Sequence, residues 1–227
     1  MKILIIGAMT EEIKQFRHLT NAENESNFID IPHYHGKINQ HETIICQSGI
    51  GKVNAAVTTS TMLYQYKPDL VINIGSAGGI GKNINISDII IATELSYHDV
   101  DVTAFGYKKG QIPNMPEYYQ PDTKLVETIK NLNHSLPIKF GMIVSGDSFI
   151  NSNIAIQHIQ SNFPYALALD MESAAIAQVC HKFNTSFMIT RVISDHADNT
   201  SDIDFKAQLN AVSERLATYL TEMIANF

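Results

Sequence analysis

Residues 2–12 read KILIIGAMTEE, an apolar run that stops at Gly7 and passes almost at once to the acidic pair Glu11 and Glu12. A run with no polar alternation is what a strand buried on both faces requires. Thr10 followed by two acids signals the first turn of a helix, where negative charge meets the positive end of the helix dipole. A buried strand handing straight over to a helix is the repeating unit of an α/β protein.

Working outward, further apolar runs bounded by Gly or Asp occur at 69–75, 88–93, 139–145 and 186–194. They read as buried strands. Between them, stretches with helical periodicity fall at 11–19, 53–66, 123–132, 154–162, 173–183 and 204–225. Residues 33–38 and 42–47, separated by Asn39, Gln40 and His41, read as a hairpin, so the sheet is expected to be mixed. The alternation predicts an α/β sandwich with one domain spanning residues 1–227. The stretch 99–119, rich in Gly, Pro and aromatic residues, is its one long irregular segment; loops of that length usually serve a site or an interface.

The formal charge of −7, from 16 Lys and Arg against 23 Asp and Glu, argues against nucleic acid as a partner. Binding a phosphate backbone needs clustered cations. Cys46 and Cys180 are the only cysteines and fit neither a disulfide framework nor a zinc site, which points to a reducing, cytoplasmic setting. The apolar run after Lys2 is too short for a signal peptide, and no stretch reaches the roughly 20 apolar residues a spanning helix needs. A soluble chain with no membrane partner is expected.

Three carboxylates sit where a strand gives way to a loop or helix: Glu12, Glu172 in ALALDMES, and Asp195 in ITRVISDHAD. In α/β sheets the ligand crevice lies outside the carboxyl ends of the strands, so acids converging there are candidates for acid, base and hydroxyl-orienting work. Each has a plain alternative, since first-turn helix acids and loop aspartates are common. Two glycine turns, 49–51 and 75–79, let backbone approach a ligand closely, yet neither has the spacing of a dinucleotide fingerprint or a P-loop. Arginine occurs only at Arg17, Arg191 and Arg215, few for a site that holds free phosphate, which favours water as second substrate. His33 and His35 share a strand face but lack metal-ligand geometry; no metal and no cofactor are expected.

The segments IIGAMTEE, SGIGKVNAA, NIGSAGG, HDVDVTAFGY, SGDSFI, LDMESAAIAQVC and RVISDHAD, in order along the chain, resemble the 5′-methylthioadenosine/S-adenosylhomocysteine nucleosidases of the nucleoside phosphorylase superfamily. The resemblance implies a three-layer α/β/α sandwich with a mixed central sheet. It also implies hydrolysis of the N-glycosidic bond of adenine thionucleosides, 5′-deoxyadenosine included, and a place in methionine salvage. Asp195 then corresponds to the general acid toward adenine, which must carry a proton near neutral pH, with Ser194 fixing its orientation. Glu12 corresponds to the base that activates water, Arg191 to a residue that helps place that water, and Glu172 to the anchor of the ribose hydroxyls above Met171. Phe149 corresponds to the residue that stacks on adenine and Ile150 to its backbone reader. Ser76, Ala77 and Gly78 fall in the contacting turn. Met9, Ile50 and Phe205 are implied to form the cleft for the alkylthio tail, with Phe105 and Pro113 supplied by the second subunit of a homodimer. Two positions depart from the pattern: Asp170 stands where Glu is expected and Ser173 where Ala is more usual.

A purine nucleoside phosphorylase with the same fold is the competing enzyme, disfavoured by scarce arginine and by Glu12. A non-catalytic nucleoside-binding module is the competing class, disfavoured by retention of all three acids. The glycine spacing disfavours an oxidoreductase.

Overall fold

Strand β1 (Lys2–Gly7) and helix α1 (Thr10–Leu19) form as the opening residues predict. The computed structural model describes residues 1–22, 24–132, 137–199 and 201–225. After α1 come β2 (Asn24–Phe28), β3 (Ile31–Ile38), β4 (His41–Gln47), α2 (Lys52–Tyr66), β5 (Leu70–Asn73), β6 (Ser76–Gly79), β7 (Ile89–Tyr97) and α3 (Thr123–Lys130). The chain continues with β8 (Ile138–Ser145), α4 (Asn153–Asn162), β9 (Ala166–Asp170), α5 (Ser173–Phe183), β10 (Ser186–Asp195) and α6 (Ser201–Ile224).

The strands form one ten-stranded mixed sheet in the order β2-β3-β4-β1-β5-β10-β6-β9-β8-β7. Strands β1, β4, β5 and the first half of β10 run parallel, whereas β3 pairs antiparallel with both β2 and β4. β10 joins the two halves of the sheet. Over Ser186–Ile189 it lies beside β5; from Val192 onward it lies beside β6; and over Thr190–Val192 it pairs antiparallel with β7. Because β7 also pairs with β8, that half of the sheet curls round on itself.

Alternate residues of β1 show why helices cover both faces. Leu4 and Ile6 pack with Met62 and Leu63 of α2 and with Ala174, Ala177 and Cys180 of α5. Ile3 and Ile5 pack with Ile13 and Phe16 of α1, Ile129 of α3 and Leu216 and Leu220 of α6. These two apolar layers make the α/β/α sandwich that the sequence predicts. A third cluster, with Met142, Val144, Ile159 and Phe163, seats α4 on the curled half. Among the described residues no helix is long and apolar enough to cross a membrane.

Candidate active site

The turns following β1, β4, β8 and β9, together with β6, the end of β10 and the start of α6, line one cavity of about 350 Å³. That is within the usual range for a small-molecule site. Glu12, Glu172 and Asp195 all line it.

Glu12 enters from the first turn of α1 and is 4% exposed. Its Oε2 accepts the Ala8 and Met9 N–H groups at 2.8 and 3.1 Å, and its Oε1 accepts the Ser76 N–H and hydroxyl at 3.0 and 3.1 Å. The helix start thus orients its own acid, and the first residue of β6 orients it again. The fit is close: a Cβ at Gly75 would stand 2.9 Å from Glu12 Oε1 and displace the carboxylate.

Glu172 follows β9 and precedes α5, but its carboxylate does not cap that helix. It reaches across to α2, where Oε1 accepts the Gly51 N–H at 2.8 Å. Gly51 supplies this donor from φ 95°, a conformation that favours glycine. Burial, and then the negative charge of Asp170, push Glu172 up to about 8; Arg191 and the Gly51 N–H act in the opposite direction.

Asp195 ends β10 and is 2% exposed. Its Oδ1 accepts the Ala197 N–H at 2.8 Å, and its Oδ2 lies 2.8 Å from Ser194 Oγ. The same hydroxyl lies 3.3 Å from the carbonyl of Ala77. Having one hydrogen, it serves one of these partners as donor at a time.

Of the other residues expected here, Met9, Ile50, Ser76, Ala77, Gly78, Phe149, Ile150, Met171, Ser194 and Phe205 line the same cavity. Phe149 and Phe205 meet edge to face with ring centres 6.0 Å apart, so the start of α6 closes over the loop after β8. Most of the remaining wall is aliphatic, which suits a flat base and an apolar tail.

Arg191 sits directly behind the cavity wall. It does not line the cavity and is 1% exposed: Nε donates to Asp170 Oδ2 at 2.8 Å, NH1 to the Thr190 carbonyl at 2.9 Å, and NH2 to Asn73 Oδ1 at 2.6 Å. Three of the five guanidinium N–H groups are thus engaged inside the protein. Phe105 and Pro113 also lie outside the cavity of their own chain, both exposed. Four lining residues are not among the site residues expected from the sequence: Ala8, Ser148, Leu169 and Asp170. Ser148 stood within a motif already singled out, next to Phe149, and adjacency was the signal that could have found it. His33 and His35 pack with Tyr66, and among the described residues no group of His, Cys, Asp and Glu is arranged to hold a metal.

Three buried acids at the ends of sheet strands thus face one apolar slot, and the chain belongs to the phosphorylase superfamily, whose sequence model matches residues 2–225. It is 43% identical over 226 residues to the 5′-methylthioadenosine/S-adenosylhomocysteine nucleosidase of Haemophilus influenzae (strain PittEE), covering 99% of both chains. The crystal structure of the Neisseria meningitidis nucleosidase of that name, in complex with methylthio-immucillin-A, superposes with a TM-score of 0.96 at 39% identity, covering 100% of this chain and 99% of the other. Futalosine hydrolase of Helicobacter pylori shares the fold at TM-score 0.94 with 32% identity, over 100% of this chain and 98% of the other. Within the superfamily the protein is a member of the 5′-methylthioadenosine/S-adenosylhomocysteine nucleosidases, which are N-glycosyl hydrolases.

Proposed function

We propose that the protein hydrolyses 5′-methylthioadenosine and S-adenosylhomocysteine, and 5′-deoxyadenosine as well, releasing adenine and the free sugar. The observation that carries this reading is the convergence of Glu12, Glu172 and Asp195 on one cavity, each held by different donors. Cleavage breaks the bond from the anomeric carbon to adenine, and the electron pair leaves with the base. Asp195 delivers a proton to N7 so that adenine departs neutral; when Ser194 donates to the Ala77 carbonyl, its oxygen is free to accept that proton's hydrogen bond beforehand. Water attacks the anomeric carbon as Glu12 takes its proton. Fixed dipoles around Glu12 hold its carboxylate in place without a cation that would compete with the positive sugar.

Glu172 accepts the ribose hydroxyls on the oxygen not used by Gly51 and favours the cationic sugar electrostatically. Phe149 stacks on adenine, the Ile150 backbone reads its edge, and Met171 lies against the sugar. Met9, Ile50 and Phe205 receive the alkylthio tail. The chain works as a homodimer in which Phe105 and Pro113 of each subunit complete the other's cleft. Phe105, 82% exposed, and the exposed Val53, Val57 and Tyr64 on one face of α2 support such an interface. The two free, buried cysteines fit a cytoplasmic setting, the compartment of methionine salvage.

Adenine release from 5′-methylthioadenosine, measured without phosphate and again with it, tests the reading. Phosphate-independent release with free methylthioribose is the expected result. A sugar 1-phosphate formed only with phosphate would make the enzyme a phosphorylase, and no release in either buffer would overturn the substrate assignment.

A further inference from the structure

Asp170 has more partners than a helix start needs. Its Oδ1 accepts the Ser145 hydroxyl at 2.6 Å and the backbone N–H groups of Glu172 and Ser173 at 3.3 and 3.2 Å. Its Oδ2 accepts Arg191 Nε at 2.8 Å and the Ser173 hydroxyl. Strands β8, β9 and β10 and helix α5 therefore meet on one carboxylate. Asn73 of β5 extends the network, since its side chain accepts from Arg191 and donates to the Ile6 carbonyl at 2.8 Å. A buried ion pair is a poor source of stability, because desolvating both charges offsets their attraction, and apolar residues of similar volume often hold a fold as well. Here the pair borders the cavity, which Asp170 also lines, two residues before the expected sugar anchor.

We propose that Asp170 is the positioning residue of this site, pinning the turn that carries Met171 and Glu172 and setting, together with Arg191, the charge that Glu172 presents to the sugar. The inference rests on the reading of Glu172 as the acceptor of the ribose hydroxyls. Glu172 is faced by Asp170 from β9, Arg191 from β10, Glu12 from α1 and the Gly51 N–H at the start of α2. Asp170 opposes a negative Glu172 and Arg191 favours one, so the pair acts as a balance behind the sugar subsite. This gives Arg191 an effect on the reaction through Glu172. It also gives a use to the hydroxyl of Ser173, which holds Asp170 Oδ2 against Arg191.

The test is calorimetric binding of 5′-methylthiotubercidin, which lacks N7 and cannot be protonated there by Asp195, and of adenine, which lacks the sugar, across the neutral pH range. In the unaltered protein the affinity for the nucleoside is expected to rise with pH as Glu172 ionises, and the affinity for adenine is expected to lack that limb. Asp170→Asn removes the repelling charge and leaves Arg191, so the limb should move to lower pH by about one unit, with Asp170→Glu returning it. The double variant Asp170→Asn/Arg191→Met leaves no unpaired buried charge and decides the matter where the single variant does not fold; with the hold on the turn removed, nucleoside affinity should weaken relative to adenine. A limb that stays in place in the folded variants, with nucleoside and adenine affinities unchanged in ratio, overturns the proposal. Glu172→Gln separates the two readings: a limb that survives it belongs to another group, and the assignment of Glu172 as sugar anchor then fails first.

Discussion

Glu12 is held by four donors, none of them a cation, and Asp195 by one backbone N–H and one hydroxyl. Among the described residues neither has a salt-bridge partner, so replacement by the amide leaves no buried charge unpaired. Glu12→Gln and Asp195→Asn should therefore keep the fold, checked by circular dichroism, while lowering adenine release by roughly 10²–10⁴-fold, the usual yield of a positioned acid or base. Near-normal turnover in either would remove that residue from its role. Glu172 gives a different signature because burial raises it from 4.5 to about 8. The folded chain holds this proton more tightly than the unfolded chain, so the stability it contributes is complete below about 4.5 and is lost as pH rises toward 8. Glu172→Gln should flatten the fall in melting temperature of the ligand-free protein over that window; an unchanged slope would mean that another group titrates there. The three acids were legible because each follows an apolar run directly. The placement of Arg191 was not, because its side chain is claimed by Asp170 and Asn73, 21 and 118 positions away, which only the assembled sheet brings near.

At the scale of elements, helix starts and strand ends do the positioning, and the start of α2 is the most exacting. Gly51 holds φ 95°, where a side chain is strained, and a Cβ there would stand 3.1 Å from Asp147 Oδ1. Gly51→Ala should cost about 1–3 kcal/mol in the backbone alone and displace the N–H that Glu172 accepts. Affinity for the nucleoside should fall while affinity for adenine stays close to its original value; an equal loss for both ligands would show that the substitution had disturbed the whole cavity. The start of α6 contributes differently, since Phe205 reaches Phe149 across the opening. Phe205→Ala should raise KM for methylthioadenosine more than for adenosine, read from initial rates with both substrates, because only the former has an alkylthio tail to lose contact with. Most elements could be read from apolar period and glycine boundaries, β1 and α5 to the residue. β2, β6 and β9 could not. NESNF in β2 is a polar edge strand, SAGG in β6 looks like a turn, and ALALD in β9 is too short to tell from the approach to a helix. Each is a strand because its neighbours offer hydrogen bonds, a tertiary effect that local pattern does not carry.

For the whole molecule the open question is whether one chain makes a complete site. The cavity holds every group the proposed chemistry needs, yet Phe105 and Pro113 are exposed and lie apart from it, so dimerisation should act on tail binding and not on the acid and base. Sedimentation should then find a particle of twice the 25.2 kDa chain mass. Mass alone does not show that subunits share a site, but mixed dimers do. Glu12→Gln leaves a chain whose own cavity is inactive but whose Phe105 can still serve its partner. Phe105→Ala leaves a chain with an intact cavity that lacks the residue its partner should supply. In the mixed dimer the Phe105→Ala chain receives Phe105 from the Glu12→Gln chain, and one site becomes complete. The two variants produced together should thus hydrolyse methylthioadenosine at low concentration faster than the sum of the two produced apart, with native mass spectrometry confirming that mixed dimers form. Simple additivity in the presence of mixed dimers would place Phe105 outside the neighbouring site and leave each cleft to be closed by its own Met9, Ile50 and Phe205.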